Sequence, residues 1–392
     1  MEAPFVQNDM EMYHQKGYVP FSNSESVTRT VEYAYDDWVL SQYAKTVMQQ
    51  QQDYELLYSR GFNYRNLFSP ASLFMLPRKD QEIKQEPGKS GYKEGDKWVY
   101  SYFVPQNAKD LVNLFGGQKE FAARLDSALH SDVIVYDNET VLHVPYLFNA
   151  AGYPNLTQQW IREIMTNRFS ATPGGLPGND DLGAMSSAYL FNAMGIFPIS
   201  PGRPLYAIGA PLFQSMILHL ANHRTFTIEA REQSRKNKYV KSLLLNHQPY
   251  EQLVIAHDVL MKGGVMQYTM SAAVEAWPID KDPVKLSETI TDADIKLLDY
   301  SISQTKVNPD EQFWVRFRLS NTGSLGTKKV VMLVNGKPFL MKHSLVLPGT
   351  TLSDSISCRL YRIGKVKIAL SDGEITLAGT EKRWSSPVKF CN

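Results

Sequence analysis

A glycine- and proline-rich turn within residues 172–202 leads directly into Asn179, Asp180 and Asp181, and then into an apolar, periodic segment. The pattern predicts that these carboxylates lie at the beginning of a helix. Unpaired backbone amides and the helix dipole favour negative charge there, so a carboxylate stays ionised and can accept a proton. The turn therefore fits a general base. The alternative is that Asp180 or Asp181 is only an N-cap, which is a commoner role for aspartate before a helix.

A second acidic position lies within residues 92–100, where Glu94 and Gly95 are followed by Trp98. A glutamate that packs against a tryptophan in a partly dry pocket can have its pKa raised until it acts as a general acid near neutral pH. Glu94 is therefore a candidate acid. The alternative is an ordinary solvent-exposed glutamate in a loop.

A third group lies within residues 137–149, which contain Asn138, Glu139 and His143. Adjacent amide and carboxylate oxygens can bind a hard cation such as Ca²⁺. The alternative is that Asn138 caps a helix while Glu139 is solvated. A single histidine in an apolar setting, such as His143, is more often a hydrogen-bonded core residue than a metal ligand.

A fourth group places acids beside aromatic residues over 32–38, the sequence E-Y-A-Y-D-D-W. Its carboxylates include Asp36 and Asp37. On a helix, such residues are most often ion-pair partners along one face.

These groups must be positioned by the elements around them, and residues 24–200 show helical spacing of apolar side chains. We expect helices over 27–42, 54–62, 106–115, 119–129 and 142–151, from a cap at Thr157 onward, and after Asp181. Helix pairs joined by loops that carry acidic groups favour an α/α toroid with a site at one rim.

After Pro201 the pattern changes to short alternating runs, which predict a β layer over 201–275. The segment 277–283 resembles a linker. Alternating runs beyond it fit an immunoglobulin-like sandwich, in which Asn335-Gly336 is a strong hairpin signal.

The composition excludes several classes of function. Lys and Arg number 41 and Asp and Glu 40, so no net charge favours nucleic acid binding. No apolar run approaches the ~20 residues of a membrane span, and the N-terminus carries no secretion signal. The stronger metal and nucleotide signatures are missing, since the sequence contains no C-x-x-C, H-E-x-x-H or Walker pattern. The cysteines are Cys358 and Cys391, whose pairing the sequence leaves open.

In combination, the four motifs resemble those of glycoside hydrolase family 92, the calcium-dependent exo-acting α-mannosidases. The motifs are E-Y-A-Y-D-D-W, E-G-x-x-W, N-E-x-x-x-H-x-P-Y-L-x-N and G-N-D-D-x-G-x-M-S. The likeness covers roughly residues 15–275 and keeps the order and approximate spacing of the motifs.

The resemblance implies a role for each matching residue. Glu94 becomes the general acid and Asp181 the base that activates water in an inverting reaction, while Asn138 and Glu139 match the segment that holds calcium. The sugar subsite would be lined by Trp98, His143, Asp180, Asn179 and also Asp36 and Asp37. Many relatives carry an aspartate where this chain has Asn179, which keeps the hydrogen bonding but removes a charge.

The resemblance also implies a multi-domain α + β fold with a partial (α/α)6 toroid followed by β-sandwich elements. We expect the toroid over 1–200, a β-rich part over 201–280 and an accessory sandwich over 284–392. Family members are considerably longer, so the part before residue 15 would be missing. A partner chain or separate N-terminal half would then complete the toroid.

The resemblance thus implies an inverting, Ca²⁺-dependent exo-α-mannosidase, similar to α-1,2-mannosidases, that acts on N-glycans or mannans. The alternative is a non-catalytic carbohydrate-binding remnant or one half of a split enzyme. Relatives are often periplasmic or secreted, but the location of this chain stays open.

Overall fold

The structure is a computed structural model that describes residues 9–80, 82–84, 91–221, 223–275, 277, 292–304, 311–360 and 364–384, with backbone alone for 364, 365 and 378–384. The chain divides into two compact units. The first comprises Met1–Ser69, Phe74–Leu111 and Phe121–Thr289, and the second comprises Pro70–Leu73, Val112–Glu120 and Ile290–Asn392. The domain boundaries expected from the sequence stay predictions.

Helices dominate the described chain up to residue 194. They are α1 (Met10–Lys16), α2 (Ser26–Tyr43), α3 (Gln51–Arg60), α4 (Lys97–Tyr100), α5 (Ala108–Leu114), α6 (Gln118–His130), α7 (Leu147–Ala150), α8 (Pro154–Asn167) and α9 (Ala184–Met194). A π-helical turn follows α2 at Ala44–Met48, and 3-10 turns lie at Asn63–Leu67, Pro105–Asn107, Glu139–Val141 and Val144–Tyr146. Two short antiparallel pairs join β1 (Phe68–Ser69) to β2 (Phe74–Met75) and β3 (Arg78–Lys79) to β4 (Glu82–Ile83).

Most of the expected helices are confirmed, with two corrections. The helix expected over 142–151 is wrong, because Pro145 lies at the start of the 3-10 turn Val144–Tyr146 and α7 begins only at Leu147. The helix expected from Thr157 begins earlier, with Pro154 in its first turn, a position that proline favours. Thr157 instead donates its hydroxyl to the carbonyl oxygen of Pro145 at 2.9 Å.

The rest of the first unit contains two sheets and a short helix. Its elements are β5 (Ile196–Phe197), β6 (Leu205–Ile208), β7 (Ser215–His219), β8 (Thr225–Arg231), β9 (Tyr239–Leu245), β10 (Gln248–Pro249), β11 (Val254–Ala256), α10 (His257–Met261) and β12 (Gly264–Ser271). One sheet has the order β11-β6-β5 and the other β10-β9-β12-β8-β7. Pairing is antiparallel except between β12 and β8, and the predicted β layer is confirmed.

One apolar core receives side chains from both of these sheets. Ile208 and Ile255 come from the three-stranded sheet, and Phe226 and Tyr268 come from the five-stranded sheet. Trp277 is buried in the same core, so the predicted linker is wrong at this residue. The remainder of that segment, 278–283, lies outside the described residues.

A second apolar core contains side chains of α8 and α9, the helices on either side of the loop that carries the acidic turn. Ile161 and Met165 of α8 and Met185 and Ala188 of α9 are buried in it. The spacing of these residues follows the helical period, which explains why the sequence pattern marked both helices. The core gives the loop between the two helices a fixed base.

The second unit contains two antiparallel sheets. Its strands are β13 (Ile295–Ile302), β14 (Gln312–Asn321), β15 (Gly326–Val334), β16 (Lys337–Val346), β17 (Thr351–Arg359), β18 (Gly364–Ser371) and β19 (Thr376–Trp384). The orders are β13-β14-β17 and β16-β15-β18-β19. Phe313 and Phe317 of the first sheet share a core with Val330 and Met332 of the second.

The hairpin between β15 and β16 confirms the Asn335-Gly336 signal. Both residues have left-handed backbone, with φ of 51° and 78°, as a tight two-residue turn requires. Cys358 is buried in the shared core, whereas Cys391 lies outside the described residues, so their pairing stays open. Across the described part of the chain, every helix is too short or too polar to cross a bilayer.

Candidate active site

The loop that carries Asn179, Asp180 and Asp181 lies against the segment that carries Asn138 and Glu139. The contact depends on Gly178, because a Cβ atom added there would lie 1.9 Å from the carbonyl oxygen of Asp137. Any side chain at this position would push the two segments apart. Two motifs that are distant in sequence therefore meet at a glycine.

Asp180 lies three residues before Gly183, the N-cap of α9, and its carboxylate bonds to the first turn of that helix. Its Oδ1 accepts from the backbone N–H of Ser186 at 2.8 Å, and its Oδ2 accepts from the Ser186 hydroxyl at 2.8 Å. Since Ser186 is the third residue of α9, Asp180 pairs one of the backbone N–H groups that the first turn of a helix leaves without a partner. The N-cap alternative is wrong in position, because Gly183 is the N-cap, but both oxygens of Asp180 are engaged by Ser186.

Asp181, by contrast, is exposed and begins a run of left-handed backbone. The φ angles of Asp181, Leu182 and Gly183 are 40°, 57° and 91°. For residues with a side chain, this conformation costs about 1–3 kcal/mol each and persists where surrounding contacts determine it. Here the bonds between Asp180 and Ser186 and the close contact at Gly178 hold the loop on either side of Asp181. The Asp181 carboxylate itself makes no bond to the helix among the described residues.

Glu94 lies on a loop that the start of α4 holds in place. Asp96 accepts from the backbone N–H groups of Trp98 at 2.7 Å and Val99 at 3.2 Å. Glu94 itself is exposed and also has left-handed backbone, with φ of 52°. Both candidate catalytic carboxylates are therefore displayed from backbone positions that favour glycine.

The expected contact between Glu94 and a tryptophan in a dry pocket is wrong, because Trp98 is packed elsewhere. Its ring meets the edge of Phe74 at 4.8 Å between centroids, and the Arg124 guanidinium lies 4.8 Å from the Trp98 centroid. Trp98 lines neither of the two cavities described below. Its contact with sugar stays a prediction.

Asn138 ties the third motif to the Glu94 loop. Its Oδ1 accepts from the backbone N–H of Glu139 at 2.8 Å and so caps the 3-10 turn Glu139–Val141. Its Nδ2 donates to the carbonyl oxygen of Glu94 at 3.4 Å. The amide therefore orients both the turn and the loop.

An open cavity of about 1110 Å³ collects these groups. Five of the residues that the sequence singled out line it: Glu94, Asn138, Glu139, Asn179 and Asp181. Its other polar lining includes Asp96 and Asp137. The structure thus places the candidate acid, base and cation ligands around one space, which we call the acidic cavity.

A second cavity of about 660 Å³ shares Glu94, Glu139 and Thr140 with the acidic cavity. Its walls are mainly aromatic and aliphatic, and we call it the apolar cavity. The aromatic residues are Tyr35, Tyr100, Phe103, Phe191 and Phe197. A ligand that spans the shared residues would have a polar end in one cavity and an apolar end in the other.

His143 lies in the wall of the apolar cavity as a core histidine. It is 5% exposed, and burial lowers its pKa to about 4, so the ring is neutral at pH 7. Its Nε2 donates to the carbonyl oxygen of Tyr102 at 3.0 Å, which assigns the proton to that nitrogen. The ring edge also meets Phe103. The core-histidine alternative describes this contact set.

The E-Y-A-Y-D-D-W motif contributes a residue that sequence reasoning did not select. Asp37 is buried and accepts from the Tyr13 hydroxyl at 3.0 Å, and neither Asp36 nor Asp37 lines either cavity. Glu32 of the same helix lines the apolar cavity and accepts from the Tyr100 hydroxyl at 3.1 Å.

The pKa of Glu32 is raised, mainly by burial and further by the negative charges of Asp36 and Glu94. Thr28 and Tyr35 line the same cavity, and they lie four residues before and three residues after Glu32. This helical spacing is the signal that could have found them.

The chemistry of the acidic cavity fits a hard cation in the type of its donors. Carboxylate and amide oxygens dominate the polar lining, and the buried Thr140 hydroxyl beside them has no hydrogen-bond partner in the part of the chain that the structure describes. Among the described residues, however, no group of three or more acidic, histidine or cysteine side chains converges as a ready metal site. Calcium would therefore be bound through Asn138 and Glu139 together with carbonyl, hydroxyl or ligand oxygens.

Comparison with known proteins matches most of the chain to the family that the sequence motifs resemble. The model of the glycosyl hydrolase family 92 catalytic domain matches residues 2–272. A protein of Arthroderma benhamiae named as an uncharacterized secreted glycosidase is 28% identical over 308 residues, which cover 68% of this chain and 40% of that protein.

Solved structures of two enzymes from Bacteroides thetaiotaomicron are also similar. A family GH92 α-mannosidase matches with 32% identity and a TM-score of 0.64, over 69% of this chain and 38% of its own, and it has also been solved with mannoimidazole. A family GH92 inverting mannosidase matches with 29% identity and a TM-score of 0.64, over 68% and 40% of the two chains. The chain thus spans about two fifths of the length of these relatives.

Proposed function

Because the chain belongs to glycosyl hydrolase family 92, we propose that it takes part in the inverting, calcium-dependent removal of terminal α-linked mannose from N-glycans or mannans. The observation that carries the proposal is the acidic cavity, where Glu94, Asp181 and the Asn138-Glu139 pair meet. The similar solved proteins support the substrate class, because they are α-mannosidases and one is bound to mannoimidazole.

In the proposed reaction, protonated Glu94 donates its proton to the glycosidic oxygen as the bond to the leaving group breaks. Asp181 takes a proton from a water molecule that attacks the opposite face of the sugar ring. Inverting enzymes place the two carboxyl groups ~6.5–9.5 Å apart so that this water fits between sugar and base. The exposed positions of Glu94 and Asp181 on two loops of one cavity suit these separate roles.

We propose that Asn138 and Glu139 hold the calcium ion. A bound calcium ion supplies a fixed positive centre that binds sugar hydroxyls. Asn138 orients this region, since its amide bonds fix both the 3-10 turn and the Glu94 loop. Glu139 is exposed and lines both cavities, so its carboxylate is accessible to a cation and to a sugar at once.

The remaining predicted residues have different proposed parts. Asn179 lines the acidic cavity and would hydrogen-bond the sugar or the attacking water. Asp180 would position Asp181 through its bonds to Ser186 in the first turn of α9. His143 would contact the ligand from the wall of the apolar cavity. Trp98 lines neither cavity, so its proposed sugar contact would lie outside them.

We further propose that the helices of the first unit form part of an (α/α)6 toroid and that the two sheets of the second unit form an accessory sandwich. Relatives carry more than half of their length beyond the matched part. An N-terminal half, in the same protein or in a partner chain, would supply further sugar contacts.

The test is mannose release from α-1,2-linked mannobiose by the purified chain, with calcium and with chelator. The variants are Glu94→Gln and Asp181→Asn, and Glu251→Gln is the matched surface control, since Glu251 is exposed and lies outside both cavities. Calcium-dependent release that disappears in both variants and persists in the control supports the hydrolase. A folded chain that releases no mannose but still binds it favours the non-catalytic alternative.

A further inference from the structure

The outer face of the β13-β14-β17 sheet carries one row of large planar side chains. Along β14, Phe313, Val315 and Phe317 point into the core, so the alternate residues point outward. The outward residues are Trp314, Arg316 and Arg318, all exposed. Trp314 exposes 38% of its surface.

Small hydroxyl residues flank this row on both sides. Trp314 pairs with Ser357 of β17, and on its other side it exchanges two hydrogen bonds with Ser303. Arg316 lies between Ser355 of β17 and Ser301 of β13 in the same way. Because serine is short, the long side chains of β14 stand above their neighbours. We call the outward residues Trp314, Arg316 and Arg318, together with the serines beside them (Ser301, Ser303, Ser355 and Ser357), the Trp314 face.

The charge of the Trp314 face is positive. The Arg318 guanidinium is paired with Asp299, with Nε donating to both carboxylate oxygens at 3.0 Å. Arg316 has no carboxylate partner among the residues that the structure describes. An unpaired guanidinium beside an exposed indole leaves a cation next to an aromatic surface.

We propose that the Trp314 face binds an acidic glycan, with a pyranose ring on the indole and a carboxylate or phosphate group on Arg316. An indole offers a flat surface at low entropic cost, and C–H groups of a sugar face pack against it. Guanidinium recognises carboxylate and phosphate in a planar, two-pronged geometry.

The spacing of the row suits this ligand. Strand residues of one face are about 6.6 Å apart along the strand, so a sugar on Trp314 places a substituent within reach of Arg316. Ser301 and Ser357 are exposed, and each serine hydroxyl can donate one and accept further hydrogen bonds from sugar hydroxyls. The site uses no residue of the acidic or apolar cavity and is independent of the proposed hydrolysis.

The experiment is affinity gel electrophoresis of the full chain in gels that contain phosphorylated mannan, neutral mannan or polymannuronate. The variants are Trp314→Ala and Arg316→Ala. The matched control is Phe339→Ala, since Phe339 is an aromatic residue of β16 that exposes 48% of its surface on the other sheet. Thermal unfolding of each variant checks the fold, and mannose release from mannobiose checks the proposed hydrolysis separately.

We expect retardation by the two acidic polymers, weakened about tenfold in Trp314→Ala and Arg316→Ala and unchanged in Phe339→Ala. Raising salt from 0.1 M to 1 M shortens the Debye length from about 10 Å to about 3 Å and should reduce the retardation. Which acidic polymer binds more tightly distinguishes phosphate from carboxylate. Equal mobility of Trp314→Ala and the unchanged chain in every gel would overturn the site, and equal retardation by neutral mannan would overturn the acidic ligand.

Discussion

Replacing Gly178 by alanine tests whether the meeting of the two acidic loops is necessary. The added Cβ would lie 1.9 Å from the Asp137 carbonyl oxygen, whereas such contacts are essentially never shorter than 3.0 Å. The loop that carries Asp181 must therefore move by about 1 Å. Forced overpacking of this kind costs about 1–3 kcal/mol of unfolding free energy. A 1 Å misplacement of a catalytic group costs about 100-fold in rate.

The same loop provides a matched control, because a Cβ at Gly174 meets nothing within 4 Å. Neither glycine has left-handed backbone, so alanine differs between the two sites only in the space around it. Urea unfolding gives the free energies, and mannose release with Asp181→Asn as the zero of activity gives the rate. If Gly178→Ala matches Gly174→Ala in both stability and rate, the close contact with Asp137 does not position the site.

Three further predictions concern the frame of the first unit. Asp180→Ala removes both bonds to Ser186 in the first turn of α9 and should lower the unfolding free energy by about 1 kcal/mol, measured by urea denaturation; a stability equal to that of the unchanged chain would show that these bonds do not stabilise the helix. The pKa of Asp37 is raised to about 6, mainly by burial and also by the charge of Asp36, while Tyr13 and Arg60 act in the opposite direction. Since the pKa of Asp37 in the folded chain exceeds the ordinary aspartate pKa of 3.8, the stability that the protonated form contributes is lost as pH rises from about 4 to about 6. Asp37→Asn should flatten the pH dependence of the urea unfolding midpoint over that window. If the midpoint of the variant changes with pH as it does in the unchanged chain, Asp37 is not the group responsible. Asp110 is fully buried and accepts from Arg65 Nε at 2.7 Å, so Asp110→Ala should destabilise the chain by about 3 kcal/mol, and a loss below 1 kcal/mol would show that Arg65 finds other partners.

The fold was predictable where one period dominates the sequence. The apolar spacing over α2, α8 and α9 marked real helices, and the alternation over β8, β9 and β14 marked real strands. Prediction failed where proline changes the local geometry. Pro145 broke the expected helix into 3-10 turns, and Pro154 began a helix that the pattern placed at a later threonine.

The residue types that form the site were predictable from the sequence, but the contacts of each residue became known only from the structure. The sequence does not distinguish two adjacent aspartates. In the structure both oxygens of Asp180 accept hydrogen bonds from Ser186, whereas Asp181 lines the acidic cavity. Glu32 was overlooked beside Asp36 and Asp37, because the sequence does not show which face of α2 borders a cavity. Trp98 was expected beside Glu94, but its contacts with Phe74 and Arg124 come from distant parts of the chain.

The two candidate catalytic residues share a backbone conformation that the pattern of side chains in the sequence does not reveal. Glu94 and Asp181 lie on different loops, and both have left-handed φ, which costs free energy for any residue other than glycine. A glycine at either position would relieve the strain but remove the carboxylate. An acid at either position benefits the protein if its carboxylate takes part in catalysis. If the carboxylate has no such role, the strained backbone only lowers the stability of the fold. Glu94→Gly and Asp181→Gly should therefore stabilise the fold or leave it unchanged while they abolish mannose release, whereas a loss of stability in both would mean that these carboxylates support the structure.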